Sequence, residues 1–484
     1  MLPDLSADLC ARLRDAFLTA GYTADGVVAA LGQQAHAALG RGEPEPARRA
    51  SRDAGDLGTL IRLFLLGDTE PEQAIRSALG SVDLADAVAN EVLTADGRAG
   101  LDIRPYEDNW WVVADLDADQ RGGAVPEDHV LGVGHASISL ARATARRPVG
   151  TLLDVGTGCG VQALHASTHA SRITATDLSE RALALARGTF LLNELDVELL
   201  AGPWFEPVEG RRFDQIVCNP PFVVGPARVD YTYRDSGLAG DGASALVIGR
   251  MPGLLAEGGV GQLLASWLHR KGEDWAERVT SWLPPGVDAW FVQRDVADPA
   301  LYVGTWLRDA GIDPRSAQGR EKASAWLDWF ASNDVEGVGF GYVTVRRADV
   351  AEPEIVCEDL RHAYDDPLGP ESARWLDNVA WLRANEDRLE STRFVVPPSV
   401  VLEEVSSPGE EGWEPVVRRL HRMDGPGWQH EVDEPTARLL AGCRGALPLS
   451  DLLALLEIAY DGIDAEAALP IVRDLVLHGM LVPA

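Results

Sequence analysis

Cysteine is scarce: five residues in 484, at positions 10, 159, 218, 357 and 443. No two form a CxxC pair and none stands at ligand spacing from a histidine, which argues against a zinc site. An odd, unpatterned set points to reduced thiols in a reducing compartment. Local basic charge is scarcer still. Asp and Glu total 75 against 43 Lys and Arg, a net charge of −32, and no basic run exceeds two residues. Such a surface repels a phosphate backbone unless a local basic patch overrides it, so a broad nucleic-acid footprint is disfavoured. No stretch approaches the roughly 18 apolar residues of a membrane-spanning helix. The opening "MLPDLSADLC" carries acids where a signal peptide carries bases. A cytoplasmic location with no membrane contact is expected. There is no internal repeat and no low-complexity tract. His165 and His169 form an i, i+4 pair without an accompanying carboxylate motif, and packing or surface roles are expected of them.

What is present is a chain of two to four domains. Residues 1–97 are Ala/Leu-rich with helical spacing, and "SADLCARLRDAFLTAGY" opens on a Ser cap and closes at Gly21. Residues 98–129 contain two strand-like runs, "LDIRPY" and "NWWVVADLD". Residues 1–97 are expected to form a helical, winged-helix-like accessory domain, and 98–129 a strand-rich connection. Over 130–347, short apolar runs ("GTLLDVG", "RITATD", "DVELLA", "DQIVCN", "GGVGQLLAS") alternate with helical or loop sequence. Runs of that kind are strands buried on both faces, so an α/β fold with a parallel sheet and helices on both sides is predicted. "VDAWFVQRD" and "GVGFGYVTVRR" read as two late strands, the second antiparallel beside the first, with a Trp-rich helical insertion between them. Residues 348–431 read as helical and extended linker, and 432–484 as a small winged-helix-like module.

The first chemical motif is "TLLDVGTGCGVQALHAS" at 151–167. A strand ends in Asp154, and Gly156, Gly158 and Gly160 follow at alternate positions before a helix. Glycines let the backbone turn and approach a ligand, and the helix start offers free N–H groups. The spacing is not the dinucleotide GxGxxG. It suits S-adenosylmethionine, whose ammonium an acid at the strand end can help hold. Asp154 is assigned to that role, with Thr157 inside the loop among the cofactor-binding residues. The next strand ends at Asp177, placed to accept hydrogen bonds from both ribose hydroxyls, with Leu178 beside it for the adenine face. Trp204 and Phe205 are candidates to flank the adenine, and Asn193 is a further possible contact.

The second motif is "DQIVCNPPF" at 214–222, where a buried strand runs into an amide, two prolines and a ring. Ligands in open parallel sheets lie beyond the carboxyl ends of strands. The Asn219 side-chain oxygen and the Pro220 carbonyl are two acceptors that could meet the N–H bonds of a planar nitrogen. Pro220 and Pro221 fix the direction of that carbonyl in advance, and Phe222 can stack on the planar group.

Together, Asp154, the glycines, Asp177 and Asn219-Pro220-Pro221-Phe222 resemble class I S-adenosylmethionine-dependent methyltransferases that modify amide or exocyclic nitrogens. The group includes release-factor glutamine-N5, adenine-N6 and guanine-N2 methyltransferases. The resemblance covers about 130–347 and implies a Rossmann-like class I sheet, S-adenosyl-L-methionine as cofactor and a macromolecular substrate. A protein side-chain amide is favoured over an RNA or DNA base; a small planar metabolite is a third option. Relatives close a loop and helix over the donor where this chain has "VLGVGHASISLARAT", so His135 and Ser137 become candidate contacts. "DYTYRDSGLAGDG" (230–242) reads as a substrate-facing lid, in which Arg234 and Asp235 either face the substrate or pair on the surface. The chain departs from the glutamine branch at Phe222, where Tyr is usual, at Pro203, and in its flanking domains.

Overall fold

The computed structural model describes residues 2–107, 109–117, 120, 126–221, 223–226, 235–361, 367–410, 412–460 and 465–484. They form two compact units, Met1–Ala141 with Pro148–Asp359 and Arg142–Arg147 with Leu360–Ala484. Among the described residues no helix is long and apolar enough to cross a membrane.

The first unit begins with six helices: α1 (Ala7–Ala20), α2 (Ala24–Gly40), α3 (Pro44–Ala50), α4 (Gly55–Leu60), α5 (Glu72–Leu79) and α6 (Leu84–Ala89). The Ser6 hydroxyl caps α1 by accepting from the Leu9 amide, and Gly21 ends it at φ 72°, a left-handed turn suited to glycine. An antiparallel hairpin follows, β1 (Leu101–Tyr106) and β2 (Trp110–Asp115). Helix α7 (His135–Ala143) leads into the main sheet.

That sheet is built from β3 (Val149–Val155), β4 (Ala170–Asp177), β5 (Val197–Ala201), β6 (Phe213–Cys218), β7 (Leu255–Arg270), β8 (Val287–Ala297), β9 (Val335–Arg347) and β10 (Ile355–Asp359). Its order is β10-β8-β9-β7-β6-β3-β4-β5. Every pairing is parallel except those of β9, which runs antiparallel between β7 and β8. Helices α8 (Val161–Ala166), α9 (Glu180–Leu192), α10 (Gly242–Arg250) and α11 (Trp275–Thr280) connect the strands. The Trp-rich insertion between β8 and β9 folds as α12 (Pro299–Asp309) and α13 (Ala317–Ser332). Strand β10 lies beyond residue 347, where the sequence reading ended this domain.

The boundaries read at 97 and 130 do not separate compact bodies. Leu9, Phe17 and Tyr22 of the helical layer share one buried cluster with Trp111 of β2, Leu164 of α8 and Leu185 of α9. Polar groups lock the same junction. Asn193, at the end of α9, accepts from the Trp111 amide (3.0 Å) and donates to the Trp111 carbonyl (2.7 Å). The Thr189 hydroxyl accepts from the Val113 amide at 3.0 Å. Side chains of α9 thus satisfy backbone groups of β2 that would otherwise be buried unpaired.

In the second unit, α14 (Leu368–Asn385) precedes β11 (Arg393–Val395), β12 (Val400–Gly409), β13 (Gly412–Arg422) and β14 (Gln429–Glu431), then α15 (Glu434–Gly442), β15 (Arg444–Pro448), α16 (Leu449–Ala459), α17 (Leu469–Leu477) and β16 (Val482–Pro483). The extended linker is in fact a β12-β13-β14 antiparallel sheet, and β11 sits between β15 and β16 in a second one. Arg422, buried at the base of the hairpin, donates to both Glu371 carboxylate oxygens and to the His478 carbonyl, each at 2.8 Å. One arginine therefore ties strand, helix and C-terminal segment together.

Candidate active site

A cavity of about 830 Å³ opens beyond the carboxyl ends of β3, β4 and β6. The glycine loop forms its floor. The Gly156 and Thr157 amides both donate to the Thr176 carbonyl at 2.9 Å, which pins the loop against the end of β4. Gly160 is required by space as well as by its φ of 88°: a Cβ there would lie 2.8 Å from the Phe190 ring of α9. The chain can turn into α8 only because that position carries no side chain.

Asp177 lies on the cavity wall, its carboxylate held by the Gly158 amide on one oxygen and the Ser179 amide on the other, both at 2.9 Å. Burial pushes this carboxyl up while the backbone amides pull it down. Leu178 beside it is 62% exposed on the same wall, an apolar face open to a ligand ring. Thr176 is buried, lines the cavity, and its hydroxyl has no protein partner. Trp204 also lines the cavity, with φ at 51°, a left-handed conformation that is uncommon for so bulky a residue. Strain of this kind collects at ligand sites.

Asn219 follows the last residue of β6. Its Nδ2 donates to the Ser137 hydroxyl at 3.4 Å, while its Oδ1 is buried without a partner. Helix α7 is anchored in turn, since Gln162 Nε2 donates to the Ser137 carbonyl at 2.8 Å. The amide is thereby oriented with its donor engaged and its acceptor open. Pro220, Pro221 and His135 join Asn219 on the cavity lining, as do Gly156, Thr157 and Gly158.

Other expected residues fall elsewhere. Asp154 is not on the cavity wall but fully buried beneath the loop, where it accepts from the Thr157 hydroxyl (2.7 Å) and the Ala163 amide (3.2 Å). Its other oxygen has no partner. Burial, reinforced by nearby Asp177, pushes its carboxyl up to about 7. Its place is that of a post under the loop. Gly160 supports the turn from behind. Asn193 is committed to β2, and Phe205 belongs to the core. His165 bonds the Tyr106 hydroxyl at 2.8 Å, a packing role. Phe222 and residues 227–234, including Arg234, lie outside the described residues. Burial pushes the Cys159 thiol up to about 12 and Cys218 well above its ordinary value, so neither cavity cysteine is a ready thiolate nucleophile.

The sequence reading missed Trp306 and Asp309 on α12, which also line the cavity. The clustering of tryptophans in the insertion was the available signal. It also missed the brace behind the segment before α7. There, Arg181 of α9 donates to both oxygens of buried Asp115, which also accepts from the Val130 amide at 2.9 Å.

The strand order, the antiparallel β9 and the glycine loop define a Rossmann-like class I methyltransferase fold. Residues 132–235 match the family described as "Methyltransferase small domain". Two further families, both described as domains of unknown function (DUF7059 and DUF7782), match 19–104 and 373–483. Among curated proteins, the release factor glutamine methyltransferase of Bordetella pertussis is 34% identical over 169 residues, 32% of this chain and 60% of that protein. The ribosomal RNA small subunit methyltransferase C of Cronobacter sakazakii is 34% identical over 171 residues, 33% of this chain and 48% of that protein. The chain thus spans about half to three-fifths of the length of these relatives. A solved 16S rRNA N2 G1207 methyltransferase of T. Thermophilus, in complex with AdoMet and guanosine, is 20% identical. It matches over 36% of this chain and 42% of its own, with a TM-score of 0.25.

Proposed function

We propose that this chain is an S-adenosylmethionine-dependent N-methyltransferase acting on a planar amide or exocyclic nitrogen, with a protein side-chain amide as its first substrate. The observation that carries this reading is Asn219: a buried amide oxygen with no partner, on a cavity wall, oriented by a bond through its own nitrogen. A buried acceptor left open is costly unless a ligand donor meets it. The residues present fit the donor. Asp177 could accept from ribose hydroxyls, Leu178 and Trp204 would offer faces to the adenine, and the loop from Gly156 to Gly158 would hold the amino-acid end. S-adenosylmethionine supplies an electrophilic methyl group on a sulfonium. The chain's own part is to hold the target nitrogen in line with it, Asn219 and the Pro220 carbonyl accepting the N–H bonds. His135 and Ser137 border the same space from α7.

Charge favours a polypeptide over a nucleic acid. Glu127, Asp128, Asp177, Asp235 and Asp309 line the cavity, and among its described lining residues there is no Lys or Arg. A phosphate backbone gains nothing from such a wall. The second reading, methylation of an RNA base, is supported by the relatives named as ribosomal RNA methyltransferases. A cytoplasmic location belongs to the same proposal. So does a substrate-holding role for the terminal modules, including a winged-helix-like arrangement at 432–484. The test incubates the protein with methyl-labelled donor and cell extract, then treats the product with nuclease or protease. Label that survives nuclease and is lost to protease is expected; the opposite result would establish the RNA reading in its place.

A further inference from the structure

One wall of the cavity comes from the helical insertion between β8 and β9. Tyr302 of α12 is fully buried, and its hydroxyl accepts from the buried Val224 amide at 2.6 Å. Val224 stands three residues past Pro221. The next residue, Gly225, meets the same insertion: a Cβ there would lie 2.0 Å from Trp326 Nε1 of α13. Tyr302 is itself fixed, its ring stacked on Phe340 of β9 at 5.7 Å and set edge-on to Phe330 of α13 at 5.8 Å. The backbone that leaves the Asn-Pro-Pro turn is therefore clamped by a rigid aromatic cluster.

Residues four and seven positions after Tyr302 share its helix face. These are Trp306 and Asp309, and both line the cavity that Asn219, Pro220 and Pro221 line. α12 follows β8, which stands five strand positions from β4 in the sheet order. At a spacing of about 4.8 Å, that is roughly 24 Å from the strand that ends in Asp177. The wall made by α12 is thus on the acceptor side of Asn219, opposite the ribose end of the site.

We propose that Trp306 is the specificity residue of the acceptor subsite, taking the flat face of the group to be methylated against its indole, and that Tyr302 is a positioning residue that sets the register of α12 to the Asn219 turn. The substrate class is a planar, π-bearing group, amide or ring, presented edge-on to Asn219. This rests on the donor reading above, and the experiment separates the two. Two donor analogues are compared in which nitrogen replaces the sulfonium sulfur, one bearing methyl and the other a benzyl ring in the direction of the acceptor. In the wild type the benzyl analogue is expected to bind about five-fold more tightly, the range of an aromatic stacking contact. Trp306→Ala should bring the ratio of the two Kd values to about one, with the methyl analogue unchanged and the ratio restored in Trp306→Phe. Tyr302→Phe should lower the ratio while leaving the methyl analogue's Kd alone, an effect that general loss of structure would not give. A wild-type ratio near one, or a ratio that Trp306→Ala leaves intact, overturns the assignment of Trp306; a ratio that Tyr302→Phe leaves intact overturns that of Tyr302. Failure of the wild type to bind either analogue refutes the donor reading and this inference with it.

Discussion

Asn219 and Asp154 are both amide- or acid-bearing residues at strand ends, and both have an oxygen without a partner, yet their surroundings give them different work. Asn219 reaches the cavity and Asp154 does not. Removing the Asn219 amide should lower kcat by roughly 10²- to 10³-fold, the usual cost of one preorganised polar contact to the reacting centre. Donor Kd, measured by calorimetry, should stay within a few-fold; a large loss of donor binding would put Asn219 in the wrong half of the site. Asp154 calls for a pH experiment. Its carboxyl is raised to about 7 from an ordinary 3.8. The folded chain therefore holds a proton that the unfolded chain releases, and the slope of stability with pH is negative between those values. The contribution is complete in acid and is lost as pH rises from about 4 through about 7. Asp154→Asn removes the ionisation, so its Tm relative to the wild type should rise from pH 5 to pH 8. Parallel Tm curves would show that this carboxyl is already ionised at pH 5 in the folded chain, and would overturn the raised value. The positions of Asn219 and Asp177 on the cavity wall were legible because each is fixed by its place at a strand end. The displacement of Asp154 from the wall was not, because it depends on a rotamer set by Thr157 and the Ala163 amide.

At the level of elements, the apolar runs of β3, β4, β6, β7, β8 and β9 were readable because strands largely buried on both faces leave little polar alternation to confuse them, while β5, an edge strand with no buried residue, was marked by the apolar residues of "DVELLA" alone. β10 was not. Its burial is only partial, it lies at the sheet edge, and "IVCED" has too few apolar residues to announce a strand. The β12-β13 hairpin was missed for a related reason, since most of β12 is exposed and carries acids and serines. The junction of loop and helix is more demanding. Gly160 faces the Phe190 ring with no room for a methyl group, in a backbone conformation that L side chains rarely adopt. Gly160→Ala should cost about 1–3 kcal/mol through strain and overpacking. Because the strained turn carries the Gly158 amide that holds Asp177, donor affinity should fall together with Tm. A variant with lower Tm and unchanged donor affinity would show that the loop and α9 are not coupled through this contact.

On the scale of the whole molecule, the decisive fact is that the N-terminal helices and the class I sheet have one core. Sequence periodicity marks a change of structural type near residue 97, which predicts a domain boundary there. It cannot show that both sides bury their apolar faces in each other. Phe17 makes the case. It is fully buried, with ring contacts to Tyr22, Phe64 and Trp111 at 5.2, 5.8 and 5.9 Å. The cluster around it continues into Ala182, Leu185 and Leu192 of α9, the helix that follows Asp177. Phe17→Ala should cost about 3–5 kcal/mol, the range for emptying a buried aromatic site. If the helices were an independent accessory domain, that loss would lower a transition to which the methyl donor is indifferent. If they are a layer of the sheet, helices and donor site unfold together. S-adenosylmethionine should then raise, by linkage, the same transition that Phe17→Ala lowers. Calorimetry of wild type and variant, with and without donor, distinguishes these cases. The shared core requires one transition that moves with both; two transitions, one sensitive to Phe17 and the other to the donor, would restore the boundary at 97.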